Sequence, residues 1–185
     1  MRRRWQALFS PVLALLLVSG TSVARLPRPS PLVEKIAKSD LIVVAVATGT
    51  KVSPRLAEIT PEGRFFLLEV VQNIKSDSSA TELRLVTDAM GGESKPSCCR
   101  VDGKYLLFLN NGYPVWSFED QTGAISIDAH GIGEFVSSSD GAFGAFEIEP
   151  DGTLSGPGSH SFTLDDVVRH TTQLSDRPQM REVGN

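Results

Sequence analysis

The sequence predicts a single, mainly β domain of the α+β class, with a short helix at its start and another at its end. Three observations predict it. Apolar residues recur as short runs or at alternate positions through residues 41–109, the period of strands. The segments between them carry turn chemistry at Pro61-Glu62-Gly63, Asp102-Gly103 and Pro150-Asp151-Gly152. Helical spacing is found near the two ends, in residues 32–38 and 164–174. A chain of 185 residues is the length of one domain.

In chain order, the first segment reads as an export signal. Arg2, Arg3 and Arg4 precede a largely apolar stretch, residues 7–18, and Ser22-Val23-Ala24 places small residues before a cut at Arg25. The apolar stretch is too short for a span, which needs ~20 residues. Residues 1–24 are therefore expected to be removed. Taking 24 residues and three arginines from the chain leaves 161 residues, with 15 Lys+Arg against 22 Asp+Glu and a net charge of −7. A domain of that size buries ~68–70% of its unfolded surface, enough for a core without staples.

Residues 25–31 form a proline-rich lead-in, with Pro27, Pro29 and Pro31. Ser30 is expected to cap a helix with Pro31 at its first position. Leu32, Val33, Ile36 and Ala37 would face the core, and Glu34, Lys35 and Lys38 the solvent. Residues 41–47 are continuously apolar, as in a strand buried on both faces, and Pro54 and Pro61 break it. Residues 64–75 are the second strand. Phe66, Leu68, Val70 and Ile74 are assigned to one face, Glu69 and Asn73 to the other.

Residues 82–88 alternate, with Leu83 and Leu85 inward, and residues 90–96 form a loop. Residues 104–109 are a strongly apolar strand. Residues 115–118, 124–129, 133–136 and 143–148 follow as strands, the last turning through Pro150-Asp151-Gly152 into Thr153-Leu154. Thr163 with Asp166 makes a capping box, and Leu164, Val167, Val168, Thr171 and Leu174 form a helical stripe. The β-rich domain thus covers residues 32–174, and residues 175–185 are a flexible polar tail.

The acidic balance excludes the basic patch expected of a nucleic-acid binder, and no membrane span remains after signal cleavage. Two cysteines cannot form a four-thiolate zinc site, and no metal or cofactor is implied. Cys98 and Cys99 are adjacent. Neighbouring Cα atoms sit ~3.8 Å apart across a trans peptide, below the ~4.4–6.8 Å of ordinary disulfides, so a bridge between them would be strained and reducible. The pair is a candidate redox or disulfide site; two free thiols, one buried thiol or a bridge to another chain are the alternatives.

Ser126, Asp128 and His130 share one face of a strand, but a hydrolytic triad needs the histidine between serine and acid, and no Gly-x-Ser-x-Gly elbow surrounds Ser126. His130, His160 and His170 have no metal-ligand spacing. Asp165 and Asp166 are explained by their place at a helix start. Gly91-Gly92-Glu93-Ser94-Lys95 lacks the spacing of a phosphate loop. Trp116, Phe118, Phe135, Phe143 and Phe146 read as core. No catalytic residue is assigned.

Ser39-Asp40 leads into the first apolar strand. Phe65 to Val71 has the form Phe-x-x-x-Glu-Val-Val and runs on to Ile74-Lys75; a third strand and a Cys-bearing loop lead to Gly103-Lys104-Tyr105-Leu106-Leu107-Phe108. Over residues 39–110 this resembles bacterial secreted proteins similar to the tissue-inhibitor-of-metalloproteinase and netrin-module superfamily. The resemblance implies an OB-like β-barrel. It supports protease inhibition little: in the animal inhibitors an N-terminal cysteine chelates the protease's zinc, whereas here Arg25 would lead and no cysteine precedes Cys98.

The sequence therefore suggests an exported binding or interaction module, periplasmic or extracellular, non-catalytic, with an unknown protein or small molecule as partner. The alternatives are a secreted inhibitor of a hydrolase, and an extracytoplasmic hydrolase with a site assembled by the fold.

Overall fold

A computed structural model describes residues 28–76, 79–87, 98–118, 125–128 and 131–175. The signal segment 1–24, the start of the lead-in, the loop 90–96 with its glycines, and residues 176–185 of the tail lie outside the described residues.

The strands are β1 (Leu41–Val52), β2 (Arg64–Lys75), β3 (Glu82–Val86), β4 (Lys104–Asn111), β5 (Val115–Phe118), β6 (Ile125–Asp128), β7 (Val136–Ser138), β8 (Ala145–Ile148) and β9 (Leu154–Ser155). The helices are α1 (Leu32–Lys38), α2 (Pro54–Ala57) and α3 (Leu164–Ser175). β1 pairs antiparallel with both β2 and β4, and β2 with β3. β3 runs parallel to β7 at Leu85 and Val136, and β7 is antiparallel to β4. The ring β1-β2-β3-β7-β4 closes on β1, giving a five-stranded OB-like barrel. β8 and β9 extend the sheet, and β5 and β6 form a separate two-stranded ribbon.

Barrel closure explains the apolar run of β1. Leu41, Val43, Ala45 and Ala47 point inward with Leu68, Leu85, Tyr105, Leu107 and Leu109. Ile42 and Val44 point outward, where α1 and α3 cover them together with Leu106, Phe108, Phe146, Phe162 and Val167. A strand covered on both faces has no position that favours a polar residue.

In β2, Phe66, Leu68 and Val70 face the interior as expected, but Ile74 does not: it packs in the outer cluster. The register explains the reversal. Ala45 pairs with Val70 and Val44 with Gln72, so Val71 is an extra residue, and a second skip lies at Ile74. Each bulge inverts the alternation that period-two reasoning assumes.

β7 and β8 act as one interrupted strand along β4. Phe108 N–H donates to Gly144 O at 2.8 Å and its carbonyl accepts from Ser139 N–H at 3.0 Å, while residues 140–143 loop out through a 3-10 turn. Residues 133–136, expected as a strand, instead form a turn that enters β7 at Val136. β8 and β9 make the expected hairpin, in which Asp151 Oδ1 accepts from the Thr153 N–H at 2.9 Å and hydroxyl at 2.7 Å. Those bonds hold the Asp151 carboxyl below its ordinary pKa.

The looped-out residues anchor α1. Lys35, expected on the solvent face, is only 1% exposed. Its ammonium is paired with Asp140, donates to Phe143 O at 2.7 Å, and lies 5.6 Å from the ring centroids of Phe108 and Phe146. Ser30 does not cap α1, whose N-cap position is Pro31. Instead its hydroxyl donates to Asp140 Oδ1 at 3.0 Å and its N–H to Oδ2 at 3.3 Å. Burial alone would raise the Asp140 carboxyl; the Lys35 bond and charge, with the two Ser30 bonds, outweigh it and hold the pKa below the ordinary value.

At the other end of the chain the capping box forms as read. Thr163 N–H and hydroxyl donate to Asp166 Oδ2 at 2.9 and 2.8 Å, and Asp166 N–H donates to Thr163 Oγ1 at 3.2 Å. Val167 and Thr171 of α3 are buried, and Leu164 and Leu174 pack on the outer cluster. Among the described residues no helix is long and apolar enough to cross a membrane.

Candidate functional site

In OB-type barrels, the outer face of the second and third ring strands, between two flanking connections, is the usual place of binding. Here those connections are residues 53–63, between β1 and β2, and residues 112–135, between β4 and β7. The first is not the simple break that Pro54 suggested. Proline is tolerated in a first helical turn because its missing N–H is unpaired there anyway, and α2 starts on it. The connection closes on itself: Ser53 N–H donates to Gly63 O at 2.9 Å, and Gly63 N–H to Thr60 Oγ1 at 3.0 Å. Gly63 has φ +61°, and a Cβ there would lie 2.7 Å from Ser53 O and Ala57 N.

The two connections meet over the barrel wall. Leu56 of α2 is fully buried against Phe65, Val86, Ile132 and Phe135, with Ile59, Leu67, Tyr113 and Val115 around them. Phe65 and Phe135 pack edge to face at 5.2 Å between centroids. Tyr113 and Ile132 exchange backbone bonds at 3.2 and 3.3 Å, pinning the base of the arm that carries β5 and β6. On the rim, Glu134 approaches Arg84 at 3.1 Å and Arg55 at 3.8 Å. These exposed pairs contribute little energy but tie both connections to β3.

Beside that cluster, in which Leu67 is packed, the same face carries exposed Arg84, opposite Leu67, and Glu69 opposite Glu82. Both glutamates are exposed. Like charges directly opposite across strands are destabilising, so this pairing is not one that fold stability favours.

A second feature lies at a barrel mouth. Cys98 and Cys99 are bonded to each other. They are half-buried and pack on the interior cluster that includes Tyr105. Arg100 N–H donates to the Tyr105 hydroxyl at 2.9 Å. The following residues are fixed to β1: Asp102 N–H donates to Ala47 O at 2.7 Å and Ala47 N–H to Gly103 O at 3.0 Å. Alongside runs an open groove of about 400 Å³ lined by Arg100, Asp102, Lys104, Glu147 and Glu149, with Arg100 and Glu147 ion-paired across it.

The remaining sequence candidates do not converge. Ser126 and Asp128 lie on β6 opposite Ser117 and Val115, and His130 lies outside the described residues. His160 is exposed in a 3-10 turn, and His170 is on α3. Asp165 is exposed on the first turn of α3, where Asp166 serves the capping box. Phe135 and Phe146 are core residues and Phe143 is half-buried; Trp116 and Phe118 are placed on β5 by their backbone. Among the described residues no group of three or more His, Cys, Asp or Glu side chains is placed to hold a metal. Sequence reasoning missed the meeting of the two connections, whose only local signal was Leu56 and Ile59 inside a polar segment. Comparison with family models, curated proteins and solved structures finds no match to this chain.

Proposed function

We propose that the chain is an exported, non-catalytic binding module that engages its partner on the outer face of β2 and β3, between the connections 53–63 and 112–135. The observation that carries this reading is the cross-strand placement of Glu69 and Glu82, both exposed, on the face that the two connections flank. Two like charges held face to face cost stability alone and gain it when a partner brings positive charge to them. The partner is accordingly a protein or small molecule that presents a basic group. Export is supported by the order of arginines, apolar stretch and small residues in residues 1–24.

The test compares two immobilised forms of the protein, the wild type and the double variant Glu69→Gln/Glu82→Gln, exposed to the extracytoplasmic fraction of the source cells. The wild type should retain a partner in a stoichiometric amount, and the variant should lose it while folding equally well. Equal retention by both forms would place the binding face elsewhere, and chemical conversion of a retained small molecule would refute the non-catalytic reading.

A further inference from the structure

We propose that Cys98 and Cys99 form a reversible thiol–disulfide centre that governs how the barrel mouth beside Arg100 is closed. Three observations lead there. The bond joins neighbours in sequence, so it encloses almost no chain and contributes little of the loop-closure stabilisation that structural disulfides supply. The two residues pack on the interior cluster and are half-buried, so the pair lies at the boundary between that cluster and solvent. The next residue is tied into the same lid, because Arg100 N–H donates to Tyr105, a member of that cluster. A bond that staples no loop, stays within reach of solvent and sits on a core boundary is suited to changing state without unfolding the barrel.

The chemistry balances with a dithiol reductant. One of its thiolates attacks a sulfur of the pair, the Cys98–Cys99 bond breaks, and its electron pair leaves on the other sulfur as a thiolate, which takes up a proton. The reductant's second thiolate then attacks the mixed disulfide, closes a disulfide within the reductant and releases the first cysteine, which is protonated in turn. Two electrons and two protons pass from the dithiol to the pair, and a protein or small-molecule disulfide reverses the step. In the reduced state the two thiols separate and the lid over Tyr105 loosens, which frees the Arg100 amide.

The test uses the folded full chain purified without reductant. Dithiothreitol is added in non-denaturing buffer, and thiols are trapped with N-ethylmaleimide and counted by intact mass. Far-ultraviolet circular dichroism is followed in parallel, and amide hydrogen exchange is read at Arg100. The expected result is two alkyl groups in the reduced sample and none in the untreated one, unchanged secondary structure, at least tenfold faster exchange at Arg100, and full reversal by oxidised glutathione. The double variant Cys98→Ser/Cys99→Ser should fold and show the fast exchange with or without reductant. Labelling that requires denaturant, unfolding on reduction, or an Arg100 amide equally protected in both states would overturn the proposal.

Discussion

Asp140 reaches back 105 positions to neutralise Lys35, so a loop outside the barrel ring fixes the first helix to the barrel wall. The lysine is fully enclosed, whereas Asp140 keeps 15% of its side-chain surface exposed. That asymmetry sets the consequences of breaking the pair. Asp140→Ala leaves an uncompensated buried cation and should cost about 3–5 kcal/mol in urea denaturation. Lys35→Met leaves a carboxylate that Ser30 still serves and water can reach, and it should cost clearly less. Equal losses would contradict this account of the pair.

The same pair makes stability depend on acid. The Asp140 carboxyl titrates below its usual 3.8 in the folded chain, so near that pH the unfolded state binds more protons and stability rises with pH. The contribution is fully present at neutral pH and is lost as pH falls through 3.8 and below. Denaturation midpoints measured from pH 7 to pH 3 should decline at the acid end, with a shallower decline for Asp140→Asn.

The terminal helix belongs to the domain. Val167 is buried in the outer cluster, while Val168, on the same sequence stripe, is only half-buried. Val167→Asp should cost about 3 kcal/mol or more, and Val168→Asp about 1 kcal/mol. Thr163→Ala removes the capping hydroxyl and should cost about 1 kcal/mol. A chain ending before Thr163 that melts at the full-length temperature would show the helix to be an appendage.

Glu69 and Glu82 give a prediction of opposite sign. Replacing both by glutamine should stabilise the free protein by about 0.2–1 kcal/mol, because a like-charge cross-strand pair is removed. A destabilised double variant would remove the main argument for a binding role of this wall.

Much of the barrel was legible because its strands carry strong local signals. The ends of β2 coincide with the alternation in residues 64–75, and the capping box marked the start of α3. Ile74 was misplaced because a bulge inverts the alternation and leaves no mark in composition. A lysine beside Glu34 on a short helix reads as polar surface, and the partner of Lys35 lies too far along the chain for any sequence window to connect them. The candidate wall was illegible for the same reason. Glu69 and Glu82 each look like an ordinary outward residue, and only strand register shows that they face each other between two connections distant in sequence.

The proposed binding face is the outer surface of β2 and β3. Its most direct test is a titration of the isotope-labelled protein with the partner recovered by capture, followed by amide chemical shifts. The largest changes should fall on Glu69, Glu82 and Arg84, with smaller ones at Leu67, in residues 53–63 and at Glu134. Changes concentrated instead on the β8–β9 hairpin, or on α1 and α3, would contradict it.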